Sequence, residues 1–426
     1  MTQMLRTLLV ALLCVLAACR PAPFDNAQGS PEHRRGAPLP PERVIVILVS
    51  IDGFRWDYLD RHQAPNLARL AAQGVRAEGL IPQFPSKTFP NHYTIVTGLR
   101  LANHGIISNN MRAADIPGEF GLSNRDVLAD PRWWGGEPIW NTAERQGRVA
   151  AAMFWPGSET VIGGRQATFW KPFDDGLPHP ERVGQVLAWL KLPEGQRPSF
   201  LTLYYSDVDN AGHDDGPESE AVSAAVSSVD RSLGELITGV NSLGLDDRVH
   251  YVVVSDHGMA ALSSDRMIVL DRYIDVAATD VVDWAPVLGV SPRDGNVEKL
   301  YAALKDKHPH LAVYRKNEIP PEYGISGHPR LPAVIGIADE GWYITSQREV
   351  DRWGQSDRRP PAGTHGYDAR ARSMHGLFVA AGPRIKSGLV VNAFENIHVY
   401  EFICALMGLT PANNDGDPSV TRDMLR

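Results

Sequence analysis

Cysteine is scarce in this sequence of 426 residues, which contains three, at positions 14, 19 and 404. So few thiols exclude a disulfide framework and a cysteine-based zinc site. The hydrophobic residues make up 43% of the chain and the charged residues 22%, as in ordinary soluble globular proteins rather than disordered or collagen-like ones. We therefore expect the stability of the fold to come from a hydrophobic core.

An excess of positive charge is also missing. The sequence has 42 Lys and Arg against 50 Asp and Glu, which gives a net charge of −8 and a pI near 6.0. Because the affinity of proteins for nucleic-acid phosphates comes mostly from clustered Lys and Arg, we expect no nucleic-acid binding. The 14 histidines and the many acids leave ample side chains for metal sites.

The apolar run near the start, residues 7–18, is shorter than the roughly 20 residues needed to span a bilayer. It suits a secretory signal peptide over residues 1–18. The preceding Leu-Ala-Ala makes Cys19 resemble the cysteine of a bacterial lipobox, which implies cleavage there and a lipid anchor on Cys19; a plain signal peptide is the alternative. Residues 19–42 predict a flexible tether. The protein is thus expected to be exported, as a periplasmic protein or a membrane-anchored lipoprotein.

From residue 43 onward, patterns of buried strands and amphipathic helices alternate. This alternation predicts an α/β fold with a mostly parallel central sheet and helices on both faces, in a catalytic domain of residues 43–426. The alternation of strand and helix patterns becomes less regular at about 266–351, where we predict an inserted cap region. Strands are predicted at 44–50, 148–154, 200–205, 249–254 and 376–381, and helices at 65–73, 139–146, 183–192, 219–240 and 396–407.

Acidic residues follow three of the predicted strands, at Asp52, at Asp209 and at Asp256. In open α/β sheets, active-site residues gather beyond the carboxyl ends of the strands. Asp256 is followed by His257, and this pair offers the oxygen and nitrogen donors that zinc accepts. Each of these segments also fits a simple turn after a strand, so the alternative is a structural role.

Asp209 and His213 are four residues apart in what we predict to be a glycine-containing loop before a helix. Their spacing lets both side chains reach one ion. Asp214 and Asp215 are expected at the entrance of that helix, where negative charge is favourable. His365 lies between glycine-containing dipeptides; by itself it also fits an exposed loop histidine.

A hydroxyl nucleophile is indicated in residues 85–98, which predict a loop entering a short helix that ends at Gly98. Thr88 is expected at the start of this helix, where free N–H groups and the helix dipole favour an oxyanion and a bound phosphate. The alternative is that Thr88 caps the helix, since threonine is a common N-cap residue.

Six segments in the same order resemble the nucleotide pyrophosphatase/phosphodiesterase family of the alkaline phosphatase superfamily. The resemblance runs from about Val44 to the C-terminus. The chain is similar to the compact bacterial form of the family, because it lacks the disulfide-rich appendages of the animal members. The segments are Asp52-Gly53-Phe54-Arg55, Lys87 to Gly98, Asn103-His104-Gly105-Ile106, Asp209 to His213, Asp256-His257-Gly258 and Gly363 to Asp368.

The resemblance implies two zinc ions per chain and a threonine nucleophile. It implies that one zinc is held by Asp52, Asp256 and His257 and contacts Thr88, and that the second is held by the set Asp209, His213 and His365. Asn109 matches the family's asparagine that donates a hydrogen bond to a phosphate oxygen, and Asn110 is the alternative for this role.

The implied reaction is hydrolysis of nucleoside triphosphates and nucleotide diesters to nucleoside monophosphates, through a phosphothreonine-type ester. Phe89, with Tyr204 or Tyr205, could stack on the base, although large aromatic residues usually belong to the core. The alternatives are a phosphomonoesterase or a phospholipid or phosphonate diesterase of the same superfamily. A third is a non-catalytic zinc-binding lipoprotein, in which Thr88 and Asn109 would have no purpose.

Overall fold

The computed structural model describes residues 40–355 and 359–426. The predicted signal peptide, Cys19 and the tether up to residue 39 lie outside the described residues. In the described ranges, none of the helices combines the length and the apolar character that crossing a membrane requires.

The described residues form helices of 4 to 23 residues. They are α1 (Tyr58–Arg61), α2 (Pro65–Gln73), α3 (Thr88–Thr97), α4 (Leu101–His104), α5 (Arg125–Leu128), α6 (Ile139–Arg145), α7 (His179–Leu190), α8 (Asp207–Asp215), α9 (Glu220–Ser242), α10 (Val297–Leu304), α11 (Gln347–Gln355), α12 (His398–Met407) and α13 (Ser419–Arg422).

The strands of the described residues belong to one large sheet and several small ones. They are β1 (Ile45–Ile51), β2 (Val75–Ala77), β3 (Leu80–Ile81), β4 (Ala150–Met153), β5 (Phe169–Trp170), β6 (Phe200–Tyr205), β7 (Val249–Val254), β8 (Ala260–Ala261), β9 (Met267–Val269), β10 (Thr279–Asp283), β11 (Val287–Pro292), β12 (Leu311–Arg315), β13 (Val334–Ala338), β14 (Tyr343–Thr345), β15 (Gly363–Thr364), β16 (Phe378–Ala381), β17 (Leu389–Val391) and β18 (Phe394–Glu395).

The large sheet has eight strands in the order β17-β2-β16-β7-β1-β6-β4-β5. β1 lies at its centre and pairs in parallel with both β6 and β7. β16 is antiparallel to its neighbours β7 and β2, whereas the other pairings within this sheet are parallel. The prediction of a mostly parallel central sheet is confirmed.

Helices cover both faces of this sheet, because consecutive side chains of a strand point to opposite faces. On β1, Val46 and Leu48 belong to a core shared with residues of α3, α6 and α12. Ile47 and Val49 belong to a second core, shared with α2, α7 and α9. β1 is buried on both faces, which explains its continuous apolar sequence.

The predicted loop at Asp209 to His213 is wrong, because these residues lie within helix α8. Gly212 suggested a loop, yet it is buried against Met259, and a Cβ atom there would come within 2.9 Å of the Met259 side chain. The glycine therefore serves close packing and does not end the helix. Asp214 and Asp215 lie in the last turn of α8, and the following helix α9 is capped by Ser219, so their predicted place at a helix entrance is wrong as well.

A second sheet lies in the region predicted as an insertion. Its strands are antiparallel, in the order β10-β11-β13-β12. Helix α10 packs on this sheet, and Leu300 and Leu304 share a core with Leu288, Val290 and Val334. The region thus has a hydrophobic core of its own, while its predicted boundaries at about 266 and 351 stay a prediction.

Candidate active site

The predicted site residues meet at the carboxyl end of the central strands. Asp52 follows β1, Asp256 and His257 follow β7, and Asp209 lies in the first turn of α8, directly after β6. Gly53 has a φ of +67°, and a Cβ atom there would lie 2.8 Å from the Cα of Asp209. Only glycine combines this backbone conformation with such a close approach.

One cluster consists of Asp52, Asp256 and His257, whose donor atoms all lie within 4.8 Å of one another. Nε2 of His257 is 2.9 Å from Oδ2 of Asp256 and 3.5 Å from Oδ1 of Asp52. All three side chains are buried. This is the same set that the resemblance assigns to the zinc beside the nucleophile.

A second cluster adjoins the first and contains Asp209, His257 and His365, again within 4.8 Å. His213 borders it: its Nε2 is 3.5 Å from Oδ2 of Asp209, and its ring centre is 5.0 Å from that of His365. The structure therefore brings the predicted set of Asp209, His213 and His365 together, with His257 between the two groups. His365 is 7% exposed, so the alternative of an exposed loop histidine is wrong.

The three histidines are oriented as metal ligands are. In each ring Nδ1 faces a backbone carbonyl oxygen, which can only accept, so in the neutral ring Nδ1 carries the hydrogen and Nε2 presents a lone pair. Nε2 is the atom that faces the carboxylates, so lone pairs face lone pairs across the cluster. The Nδ1-to-oxygen distances are 3.0 Å from His213 to Gly363, 2.8 Å from His257 to Gly258 and 2.8 Å from His365 to Ser86.

Three buried carboxylate oxygens in the cluster have no hydrogen-bond donor among the described residues. They are Oδ1 of Asp52, Oδ1 of Asp209 and Oδ2 of Asp256. Buried polar atoms without a partner are uncommon and costly in native proteins. Cations between these oxygens and the imidazole lone pairs would satisfy both, so the donor set fits divalent metal ions of the zinc type.

The electrostatics of the cluster indicate the same need for positive charge. Burial, followed by the negative charges of Asp256 and Asp209, raises the pKa of Asp52 well above the ordinary carboxyl value. Burial acts in the same direction on Asp256, but the positive charges that His257 and His92 carry when protonated outweigh it and hold the pKa of Asp256 well below the ordinary value. Two adjacent carboxylates thus differ in their environment, and one of them lacks a compensating cation.

His365 shows the effect of burial on a base. Burial, followed by the nearby His257 and His213, lowers the pKa of its imidazole well below the ordinary value. The neutral ring is the form in which histidine binds a metal ion.

Thr88 is the first residue of α3, and its Oγ1 lies 3.4 Å from Nε2 of His257. Lys87 occupies the N-cap position, so the alternative that Thr88 is the cap is wrong. Asn109 approaches the same helix start: its Oδ1 accepts a hydrogen bond of 2.9 Å from the backbone N–H of Phe89. Its Nδ2 makes no hydrogen bond to the described residues and is available to a ligand.

The aromatic residues predicted to stack on a base have different environments. Phe89 is half-buried and packs against Phe120 and Trp134. Tyr205 is fully buried, and its hydroxyl bonds to Ser232. Phe89 therefore stays available for stacking, whereas Tyr205 belongs to the core.

Tyr204 is buried, with its ring between His92 and Phe173, and its hydroxyl donates a hydrogen bond of 2.7 Å to Oδ2 of Asp52. This position corrects the expectation that Tyr204 stacks on the substrate, because its ring offers little free surface and its hydroxyl orients a carboxylate. The neighbouring Phe173, which the sequence analysis did not select, is 36% exposed.

His92 is another site residue that the sequence analysis did not select. Its Nδ1 lies 2.9 Å from the carbonyl oxygen of Thr88 and 3.3 Å from Oδ2 of Asp256, and its Nε2 lies 2.8 Å from Oγ of Ser50. The spacing of four residues between Thr88 and His92 in a predicted helix was the available signal.

Arg55 connects the segments that carry the site. Its guanidinium donates to Asp57 and Glu218 and, at 3.5 Å, to the carbonyl oxygen of Met259. The segments after β1, after α8 and after β7 are thereby joined by one largely buried side chain.

The family model described as "Type I phosphodiesterase / nucleotide pyrophosphatase" matches residues 46–368. Among curated proteins, human ectonucleotide pyrophosphatase/phosphodiesterase family member 5 is 33% identical over 91% of this chain and 79% of its own length. The mouse family member 7 is 33% identical over 97% of this chain and 92% of its own. A venom phosphodiesterase of Crotalus durissus collilineatus is 36% identical over 90% of this chain, which spans about half (47%) of that longer protein.

A solved structure of murine family member 5, an inactive threonine-to-alanine variant in complex with AMP, superposes with a TM-score of 0.84 and 34% identity. The superposition covers 90% of this chain and 100% of that one. This agreement confirms the predicted alkaline phosphatase-like fold, whereas the resemblance to the bacterial form stays a prediction, since these relatives are animal proteins. On the matched residues and the shared fold, the chain belongs to the nucleotide pyrophosphatase/phosphodiesterase family of hydrolases.

Proposed function

We propose that the protein hydrolyses phosphodiester and phosphoanhydride bonds of nucleotides and releases nucleoside monophosphates, with Thr88 as nucleophile and zinc as the metal. The observation that carries this proposal is the position of Thr88 Oγ1, at the N-terminus of α3 and 3.4 Å from His257, beside a buried cluster of carboxylates and imidazoles. A hydroxyl at a helix start can act as the nucleophile of phosphoryl transfer when a set of metal ligands lies beside it.

Two sets of residues would hold the metal ions. Asp52, Asp256 and His257, with Thr88, form the first set, and the second consists of Asp209, His213 and His365. When bound, a pair of zinc ions supplies Lewis-acid stabilisation of the charges that develop on the attacking and departing oxygens.

The chain's own residues carry the bond changes. Oγ1 of Thr88 gives its proton to solvent and attacks phosphorus, so the Oγ1–P bond forms while the bond from phosphorus to the leaving oxygen breaks, and the leaving oxygen departs with that electron pair and is protonated by water. In the second half, water attacks the ester on Thr88 and restores the hydroxyl. The backbone N–H of Thr88 at the start of α3 and Nδ2 of Asn109 would stabilise the non-bridging phosphate oxygens.

The substrate class rests on the family and on the aromatic residues beside the site. The murine relative was solved in complex with AMP, and we propose that this protein also accepts nucleotides. Phe89 and the exposed Phe173 are the side chains we propose to contact the base, because stacking on aromatic rings accepts any base. Tyr204 would act indirectly, through Asp52.

Substrate choice is tested with three p-nitrophenyl substrates: the ester of thymidine monophosphate, p-nitrophenyl phosphate and p-nitrophenyl phosphorylcholine. We expect the nucleotide ester to give the highest kcat/KM. A higher value for the simple phosphate would support a phosphomonoesterase, and a higher value for the choline ester would support a phospholipid diesterase. Equal residual hydrolysis by the Thr88→Ala variant and the wild type would support the non-catalytic zinc-binding protein.

We also propose that the protein is exported through residues 1–18 and carries a lipid on Cys19. The proposal is supported by the apolar run and the Leu-Ala-Ala-Cys segment. Expression of the full chain in a bacterial host with labelled palmitate tests it, with Cys19→Ser as the control. Label in the wild type but not in Cys19→Ser is expected, and an unlabelled, exported wild type indicates a plain signal peptide.

A further inference from the structure

A carboxylate of the second sheet reaches the start of the nucleophile helix. Asp283 is the last residue of β10, and its side chain is 11% exposed. The pairing of β10 with β11 shifts register between Val281 and Asp283. Irregularities of this kind re-aim a side chain, and they are common beside active sites. Here the shift lies beside Asp283, whose carboxylate reaches Lys87, the residue before α3.

Asp283 binds two side chains with one oxygen. Its Oδ2 accepts a hydrogen bond of 2.6 Å from Nζ of Lys87, whose side chain is 6% exposed, and another from Oγ of Ser108. Its Oδ1 accepts from the backbone N–H of Trp284 at 3.0 Å. Both oxygens of the carboxylate therefore have a partner, and the buried ammonium of Lys87 has its counter-charge.

The two side-chain partners of Asp283 directly precede, in the sequence, the two residues that we propose to contact the phosphate. Lys87 precedes Thr88, and Ser108 precedes Asn109. The two segments also meet on the other side, where Oδ1 of Asn109 accepts from the N–H of Phe89. One carboxylate thus ties together the backbone segments that set the distance between the proposed nucleophile and the proposed phosphate donor.

The same part of the second sheet also packs against the segment that carries His365. A Cβ atom at Gly366 would lie 2.8 Å from Cδ of Pro286 and 3.3 Å from Cε of Lys87. The turn between β10 and β11 and the side chain of Lys87 therefore lie against the residue that follows His365. The second sheet contacts the site through this segment as well as through Asp283.

We propose that Asp283 is a positioning residue of the active site. Through Lys87 and Ser108, it fixes the distance between Thr88 and Asn109. This inference rests on the proposed function, because it needs Thr88 and Asn109 in their assigned roles. It makes the second sheet a functional part of the site rather than an appendage. Small displacements of reacting groups are costly, since about 1 Å can lower a rate by roughly 100-fold.

The test measures kcat, KM, zinc content and thermal unfolding of the full chain with p-nitrophenyl thymidine monophosphate. We expect Asp283→Ala and Asp283→Asn to lower kcat about 10- to 100-fold, with KM within about twofold of the wild type and zinc unchanged. Asp280→Asn is the matched control: Asp280 lies on the same strand and pairs with the exposed Arg112, so its kcat should stay unchanged.

Ser108→Ala removes a single hydroxyl and tests the same link if an Asp283 variant does not fold. Its kcat should fall a few-fold, and the double variant Ser108→Ala/Asp283→Ala should fall no further than Asp283→Ala, because both act through one contact. Wild-type kcat in Ser108→Ala and in a folded Asp283 variant overturns the proposal. An active Thr88→Ala variant would instead overturn the proposed function, so the two failures are distinguishable.

Discussion

The hydroxyl of Tyr204 donates a hydrogen bond of 2.7 Å to Oδ2 of Asp52, while Oδ1 of the same carboxylate has no hydrogen-bond donor among the described residues. One oxygen is thus oriented by the protein and the other is left for a ligand. Partners of this kind fix the geometry of metal ligands, and their removal commonly costs about 10- to 100-fold in metal affinity or activity.

Replacement of Tyr204 by phenylalanine should therefore lower zinc affinity and kcat/KM by about 10-fold or more, with the fold intact. Zinc affinity is measured by competition with a chelator. The matched control is Tyr205→Phe, which removes the neighbouring hydroxyl but acts on Ser232 in the core. Equal zinc affinity in the two variants would contradict a role for Tyr204 in orienting Asp52.

Replacement of Thr88 by alanine should lower turnover by roughly 10⁴-fold, because the group that forms the covalent ester is removed. Zinc content should stay close to that of the wild type, since the six other proposed ligands remain in place. Single-turnover kinetics and elemental analysis check the two statements. Thr97→Ser, at the other end of the same helix, is a control that should keep full activity. Turnover of Thr88→Ala near the wild-type rate would rule out the threonine mechanism.

Loss of a ligand should remove one ion and leave the other. We expect Asp209→Ala or His365→Ala to bind one equivalent of zinc fewer than the wild type, because Asp52, Asp256 and His257 remain together. Asp207→Ala is the control within the same helix, since Asp207 pairs with His179 and not with the cluster. Elemental analysis after gel filtration measures the content. Retention of all zinc by both ligand variants would reject the assignment of the second site.

Asp52→Asn should stabilise the protein in the presence of a chelator and destabilise it in the presence of zinc. Without metal, burial and the neighbouring Asp256 and Asp209 make the ionised form of Asp52 costly, as its raised pKa shows, and a neutral amide at this position removes that cost. With metal, the charge is needed for binding, and bound ligand stabilises the native state. We expect a rise of about 1–3 °C in Tm in the chelator and a lower Tm than the wild type in zinc.

Calorimetry with and without the chelator measures both values. Asp60→Asn is the control, since Asp60 is a more exposed carboxylate that pairs with Arg76. Its Tm should not rise in the chelator. A Tm of Asp52→Asn below that of the wild type under both conditions would show that the carboxylate is structural.

The sequence predicted most of the large sheet because its strands are buried on both faces. Strands β6 and β7 have the predicted bounds, and β1 differs by one residue at each end. Helix α2 begins at Pro65 and ends before Gly74 as expected, since both residues restrict or release the backbone in a defined way. The local sequence was sufficient to predict an element wherever its burial and its ends depended on its own residues and their immediate neighbours.

Prediction failed where a contact with a distant segment decided the conformation. Gly212 lies inside a helix with Met259 packed closely on it, and the hydroxyl of the buried Tyr204 binds Asp52. Neither partner is visible in the local pattern. The same limit hid Asp283, whose side-chain partners lie in other segments, and the contact of His92 with Asp256.

By itself, the sequence determined the fold class, the family and the residue types of the site, because strand burial and short motifs are local properties of the chain. The tertiary structure decided which oxygens of Asp52, Asp209 and Asp256 lack a donor, which nitrogen of each histidine faces them, and which carboxylate reaches Lys87. These features depend on distances between segments up to 279 residues apart, and only the packed chain sets those distances.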